Sequence, residues 1–171
     1  TCCALHVTDA AAVNKMVAAI PSLDILVNNA GMNLPEPFVN VSEERLDRVM
    51  NLNVRSLFIV AQAATRKMLE NTGRKTRGGA IVNIIADIWM GMPSMGHSGA
   101  ARAGMLNFTE TAALEWGPVR VNAVAPGWIA SSGMDQYPPE MGPLIRSMAQ
   151  KVPVQRMGTE SEVSAAIVFL L

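Results

Sequence analysis

Cysteine is almost absent from this sequence: two residues in 171, the adjacent Cys2 and Cys3. Two lone neighbours give neither a disulfide framework nor a metal-ligand spacing, so no metal site is read and a reducing, cytoplasmic setting is expected. An excess of charge of one sign is missing too. The chain carries 14 Lys and Arg against 14 Asp and Glu, which removes the electrostatic footprint of a nucleic-acid binder, and no basic stripe restores it. Long apolar runs are also lacking, because Asp24, Arg55, Asp87 and Arg102 interrupt each candidate before it reaches membrane-spanning length. Neither a nucleic acid nor a membrane is therefore expected as a partner. What the chain does have is apolar content, 50% of residues with a mean hydropathy of +0.23, and this excludes disorder. Its length suits one globular domain or a large piece of one. It opens on Thr1 with no signal-like segment, so the first residue is not expected to be the native start.

Short β-branched runs alternate with longer helical segments, without repeats or low-complexity stretches, a pattern of βαβ units on a parallel sheet. Strands are expected at Cys3–Val7, Leu23–Asn28, Gly79–Ile85 and Arg120–Ala125. Helices are expected over Ala10–Ala19, capped by Thr8 or Asp9, and from Ser42 to about Glu70, with Glu43 and Glu44 favouring the dipole of its first turn. Three more follow at Ala100–Trp116, Leu144–Gln150 and Thr159–Leu171. Asn71–Arg77 and Pro153–Gly158 read as loops, Gln136–Gly142 as turn-rich and Ala86–Gly96 as irregular. The fold class is a doubly wound α/β parallel sheet in a single domain, 1–171. Ligands of such sheets bind beyond the carboxyl ends of the strands, here His6–Asp9, Asn28–Gly31, Ile85–Trp89 and Pro126–Ser131.

Those ends carry four words in order: Asn28-Asn29-Ala30-Gly31, Asn53-Val54, Arg120-Val121-Asn122 and Pro126-Gly127-Trp128-Ile129. In that order and spacing the chain resembles the short-chain dehydrogenase/reductase superfamily along essentially its whole length. More narrowly, His97-Ser98-Gly99-Ala100-Ala101-Arg102-Ala103-Gly104, Leu114-Glu115-Trp116 and Gly158-Thr159-Glu160-Ser161-Glu162-Val163-Ser164 resemble the peroxisomal trans-2-enoyl-CoA reductases. The resemblance implies a Rossmann-type α/β/α domain and an oxidoreductase that uses NADP or NAD. Ala30 and Gly31 let a flat ligand approach the backbone; by resemblance it is the adenine-ribose half of the cofactor, with Asn28 near the ribose and Val7 beside the adenine. His6 stands where the family usually has an acid. Pro126, Gly127 and Ile129 would wall the nicotinamide ring, and Ser131 would reach the pyrophosphate or carboxamide. The family's equivalent of Asn53 bends its helix and holds a water of the proton relay. The plainer readings are a turn at Asn28–Gly31, a strand stop at Pro126–Gly127 and a structural amide at Asn53.

The family's usual Ser, Tyr and Lys are not in place. Counting back from Leu114-Glu115-Trp116, the Tyr position falls on Ser98, the Lys position on Arg102 and the Ser position on Ile85. A neighbouring register puts His97 and Ala101 at the Tyr and Lys positions. The single tyrosine, Tyr137, lies in a later Pro-rich turn. Enoyl-thioester reductase branches also carry Ser at the Tyr position. They reduce a conjugated C=C and need a hydrogen-bond donor at the thioester oxygen rather than an acid at a carbinol. Ser98 could be that donor, with Arg102 near the ribose and Asp87 or His97 in the proton relay. Arg102 can bind and orient but cannot act as an acid. Met90, Met92 and Met95 would line the acyl side of the cleft, or simply pack.

No glycine-rich pyrophosphate fingerprint occurs in the sequence, and the first strand expected here corresponds to the family's third. The expectation is a part of a longer chain lacking the first two strands and the last. The first reading of function is an NAD(P)-dependent reductase of a small molecule, which the narrower resemblance implies is a 2-enoyl thioester. Against it stand a dinucleotide-binding relative with a decayed centre, and a carbonyl or alcohol oxidoreductase with a non-standard proton donor. A flavodoxin-like FMN module fits Asn28–Gly31 and Pro126–Gly127 less well. By resemblance, a homodimer or homotetramer would form through Ser42–Glu70 and Ala100–Trp116. A peroxisomal address would be read only at a C-terminus.

Overall fold

The computed structural model describes residues 4–70, 78–136 and 139–171. Helix α1, Ala10–Ala18, begins where the Asp9 carboxylate accepts from the Ala12 N–H at 3.0 Å. Strand β1, Ile25–Asn28, follows. Helix α2, Glu43–Met50, is capped by the Ser42 hydroxyl, which accepts from Arg45 N–H at 3.3 Å. The chain then continues through one π-helical turn, Asn51–Arg55, into α3, Ser56–Glu70. The long helix expected here therefore forms, but with a bulge in its middle. Strand β2 is Ala80–Ile84, helix α4 is Gly96–Glu115 and strand β3 is Arg120–Val124. A short pair, β4 (Ile129–Ala130) and β5 (Gly158–Thr159), brackets α5, Gly142–Lys151, and α6 is Glu160–Leu170.

β1, β2 and β3 form a parallel sheet in that order, with Asn28 opposite Asn83 and Ile84 opposite Val124. The near-continuous apolar character of β2 follows from burial on both faces. Ile81 and Val121 pack with Ala64, Met68, Ala112 and Val119 beneath α3 and α4, while Ile85 packs with Leu57 and Met105. Val13 and Val17 tie α1 to α3 through Ala63. Helix α6 packs against β2 and β3, and Arg120 reaches it, donating to the carbonyls of Leu170 and Leu171 at 2.8 and 2.6 Å. Ile25 and Val27 of β1 stay 49% and 38% exposed.

Two expectations change. Cys3 lies outside the described residues, and Ala4–Val7 form no strand. A strand needs a neighbour to satisfy its backbone, and the sheet's order puts none beside this segment. His6 instead closes a turn, its carbonyl accepting from Asp9 N–H at 2.9 Å, and Val7 stands in that turn. Helix α4 also starts four residues before the expected Ala100, so His97 and Ser98 lie in its first turn and Gly96, expected as irregular, is helical. Gly96 and Gly99 hide that start through poor helix propensity. Their smallness has a packing reason: a Cβ on Gly96 would lie 2.7 Å from the Phe38 ring, and one on Gly99 3.3 Å from Met92. The loop expected at 71–77 and the turn residues Tyr137 and Pro138 lie outside the described residues.

Helix α6 opens with a capping box. Thr159 Oγ1 accepts from Glu162 N–H at 3.2 Å, and Glu162 Oε2 accepts from Thr159 N–H at 2.8 Å. Arg156 binds the same carboxylate through both oxygens, at 2.6 and 3.0 Å. These bonds, the Arg156 one first, hold the Glu162 carboxyl down at about 2. A depressed carboxyl stabilises above its unfolded value, about 4.3, and that contribution is lost as pH falls through about 2. Amide exchange at the start of α6 should therefore speed up, beyond its intrinsic pH dependence, between about pH 4.3 and 2. In Glu162→Gln the extra acid sensitivity should disappear.

Candidate active site

Parallel register brings the carboxyl ends of β1, β2 and β3 to one level, and hydrogen bonds tie the loops beyond them together. Ile85 N–H donates to Val124 O at 2.9 Å, Asp87 N–H to Pro126 O at 3.2 Å, and Glu36 N–H to Ser94 O at 2.7 Å. The β4–β5 pair holds the loop after β3, since Gly158 N–H donates to Trp128 O at 2.9 Å.

Arg102, on α4, crosses behind these ends with only 9% of its surface exposed. Its Nη1 donates to Ile84 O at 2.7 Å and lies 3.7 Å from Met105 Sδ. Its Nε is buried without a partner, and no carboxylate pairs with it among the described residues. Burial lowers the guanidinium pKa from the ordinary arginine value, yet the group stays protonated. A Cβ added to Gly31 would sit 2.8 Å from Arg102 Nη2 and 3.1 Å from Asn53 Oδ1, so a side chain here would push the guanidinium or the amide aside.

Asn53 is fully buried in the π turn, where the extra residue redirects the helix. Its Oδ1 accepts from Met32 N–H at 2.8 Å and its Nδ2 donates to Met32 O at 3.0 Å. This clamp fixes the backbone of the β1 loop beside Arg102. The resemblance implies a bend at this residue; the helix carries a π turn there, and the amide is engaged with main chain on both ends.

Ser98 precedes Arg102 by one helical turn, on the same face of α4. It is fully buried, and its hydroxyl donates to Asn33 Oδ1 at 2.5 Å, which places it under the β1 loop. His97 is equally buried, with neither ring nitrogen bonded among the described residues. Asp87 is exposed at the mouth of the β2 loop. Asn28 closes β1 almost buried, ahead of the exposed Ala30 and Gly31. Pro126 and Ile129 are half-buried and Gly127 is exposed, while Ser131 turns the chain through its carbonyl, which accepts from Met134 N–H at 2.9 Å. Of the methionines, Met92 packs near Gly99 and Met90 is exposed. The structure thus brings Gly31, Asn53 and Arg102 together and sets Ser98 and His97 one turn away. It adds three residues that sequence reasoning missed: Asn33, Asn83 and Thr109. Asn83 and Thr109 are buried and hydrogen-bonded to each other at 2.9 Å. An amide inside an apolar strand was the available signal for Asn83; Asn33 had none. Among the described residues no cluster of three or more His, Cys, Asp or Glu could hold a metal, and no helix is long and apolar enough to cross a membrane.

The model of the family described as "Enoyl-(Acyl carrier protein) reductase" matches residues 2–171. The chain belongs to this family, within the short-chain dehydrogenase/reductase superfamily. It is 32% identical over 163 residues to the 3-oxoacyl-[acyl-carrier-protein] reductase FabG of Staphylococcus aureus, a match that covers 94% of this chain and 63% of the relative. The solved structure of a citronellol catabolism dehydrogenase, AtuB, from Pseudomonas aeruginosa superposes with a TM-score of 0.79 at 45% identity, over 99% of this chain and 64% of that one. A xylitol dehydrogenase with NAD+ bound gives 0.84 at 29% identity, over 96% and 69%, and ElxO with NADP bound gives 0.83 at 29%, over 97% and 68%. The chain thus spans a little under two thirds of the length of the curated relative.

Replacing Asn53 with Leu should orphan the Met32 N–H and C=O at the buried foot of the loop. We expect a loss of about 1–3 kcal/mol in urea unfolding. Asn53→Asp should lose at least as much, because its second carboxylate oxygen would face Met32 O with no proton between them in a buried site.

Proposed function

We propose that the protein is an NAD(P)-dependent oxidoreductase of the short-chain type that reduces the C=C of a 2-enoyl thioester. The observation that carries this reading is the buried Arg102 guanidinium, short of acceptors and pressed against Gly31 at the strand ends. A donor set of this kind suits the hydroxyls of a dinucleotide ribose, and two structural neighbours hold NAD+ or NADP. Asn28, Ala30, Gly31 and Val7 would take the adenine-ribose half. Pro126, Gly127, Ile129 and Ser131 would flank the nicotinamide half, and Arg102 would orient the ribose between them. When bound, the reduced cofactor supplies the hydride.

The remaining work falls to side chains. Ser98, released from Asn33, donates a hydrogen bond to the thioester oxygen as that oxygen takes on enolate charge. Asp87 and His97 are the groups that would pass a proton to the α-carbon. Asn53 keeps the Met32 backbone in place while they do so. No acid stronger than a hydroxyl is required at the oxygen, which agrees with Ser98 at the position where the family's usual members carry Tyr. A second reading, reduction of a 3-oxoacyl thioester, is favoured by the name of the FabG relative. We also propose a homodimer or homotetramer through α2–α3 and α4, where Leu46 and Phe58 are exposed, and a cytoplasmic setting from the scarcity of cysteine.

Rates with a 2-butenoyl thioester and with its 3-oxobutanoyl counterpart, each with NADPH and NADH, test the reading. The enoyl substrate should be reduced faster, and Ser98→Ala should slow it by roughly 10²–10³. Arg102→Met should raise the cofactor KM. Turnover of the 3-oxo substrate alone would replace this reading with the second one. Wild-type rates in both variants would remove Ser98 and Arg102 from the site.

A further inference from the structure

Three hydrogen bonds run in series from β1 through β2 into α4. Asn28 Nδ2 donates to Asn83 Oδ1 at 2.9 Å, Asn83 Nδ2 donates to Thr109 Oγ1 at 2.9 Å, and Thr109 Oγ1 donates to Met105 O at 2.7 Å. All four residues are buried: Asn28 is 9% exposed, Asn83 0%, Thr109 4% and Met105 1%. Ordinary packing does not call for such a chain, because a buried amide is costly unless it is satisfied and an aliphatic residue at Asn83 would avoid the cost.

The last acceptor sets the direction of every bond before it. A main-chain carbonyl only accepts, so the Thr109 hydroxyl proton is spent on Met105 O. Thr109 Oγ1 can then only accept, which obliges Asn83 to turn its NH₂ toward α4 and its oxygen toward β1. Asn28 must in turn direct its NH₂ inward. Reversing either amide would place two oxygens in contact with no proton between them. Asn28 Oδ1 is left as the end of the chain that makes no bond among the described residues, at the carboxyl end of β1.

The same turn of α4 also positions Arg102, whose Nη1 bonds Ile84 O and touches Met105 Sδ. Residues on one helix therefore fix an acceptor at Asn28 and a cation at Arg102. From this we infer that Asn83 and Thr109 are positioning residues: they hold Asn28 as a hydrogen-bond acceptor, so that the subsite at the β1 end takes a neutral hydroxyl of the ligand and disfavours an anionic oxygen. This deepens the proposed function and rests on it insofar as the hydroxyl is that of the NAD(P) ribose.

Thr109→Ser and Thr109→Val separate hydroxyl from shape, since Val keeps the volume and loses the donor while Ser keeps the donor. The protein, labelled with ¹⁵N at asparagine, is examined for solvent exchange of the Asn28 and Asn83 side-chain NH₂ protons and is then titrated with NADPH and NADH by quenching of tryptophan fluorescence. Slow exchange is expected in the wild type and in Thr109→Ser, and fast exchange in Thr109→Val. The dissociation constant should rise about tenfold in Thr109→Val, equivalent to about 1.4 kcal/mol, and stay near wild type in Thr109→Ser, with kcat changed little in both. Unaltered exchange and affinity in Thr109→Val would overturn the inference. So would a loss in Thr109→Ser that matches or exceeds the loss in Thr109→Val, which would tie the effect to packing at this position rather than to the hydroxyl. Fast exchange in Thr109→Val beside a wild type that binds neither cofactor would uphold the relay and remove the dinucleotide reading instead.

Discussion

Arg102 loses most of its hydration where its side chain reaches the end of β2 and the loop after β1. A carbonyl at 2.7 Å and a thioether replace that water, with no carboxylate among the described residues to offset the charge. A buried cation left in that condition is destabilising unless dipoles or a ligand compensate it. Much of the local structure can be understood from that constraint. The β1 loop approaches the guanidinium so closely that residue 31 has no space for a side chain, and the loop is held there by the Asn53 amide. Asn53 reaches the loop because the helix that carries it takes a π turn at that point.

Polarity is thereby concentrated on one side of an otherwise apolar sheet. Ile81, Ile85 and Val121 lie in apolar clusters with α3 and α4, yet Asn83, between Ile81 of β2 and Ile85 just beyond its end, meets α4 through an amide. Its cost is met by two partners, Asn28 and Thr109, and the result is a core that registers β1, β2 and α4 by hydrogen bonds as well as by shape. The ends of the strands are consequently rigid relative to the helix that carries Ser98 and Arg102.

The elements that were legible in the sequence are those whose signal is local. Strands β1, β2 and β3 stood out as apolar runs ended by Asn-Asn-Ala-Gly, by a Gly- and Met-rich stretch and by Pro-Gly. Asp9 was one of two caps offered for the first helix, and Ser42 and Thr159 were read as opening theirs; each of the three is the N-cap. The Cys3–Val7 strand failed because alternation and β-branching report only a capacity to pair, and pairing depends on a neighbour. The start of α4 was hidden because its glycines answer to Phe38 and Met92, residues distant in sequence from Gly96 or close only across a loop. For the site, the resemblance placed Asn28, Gly31, Asn53 and Arg102 near one ligand. The contact of Gly31 with Arg102 spans 71 positions and leaves no periodic trace. Asn33 over Ser98 is equally invisible, whereas Asn83 was an unexplained polar residue in a buried strand and could have been read as part of a network.

The choice of arginine at position 102 follows from the same geometry. A lysine ammonium is a compact point charge on a flexible stem, and it is held by whichever acceptor it meets. The guanidinium is planar and carries donors on three nitrogens. In this structure Nη1 binds the end of β2 and Nη2 lies against the β1 loop, while Nε remains unbonded. One side chain thus touches two strand ends at once and still has a donor to offer. Burial lowers its pKa, but a guanidinium keeps its proton in proteins, so it can bind and orient without acting as an acid. In the first turn of α4, one turn before Arg102, Ser98 is buried and bonded to Asn33 of the β1 loop, which the Asn53 amide holds at Met32, and the neighbouring His97 is buried with neither ring nitrogen bonded among the described residues.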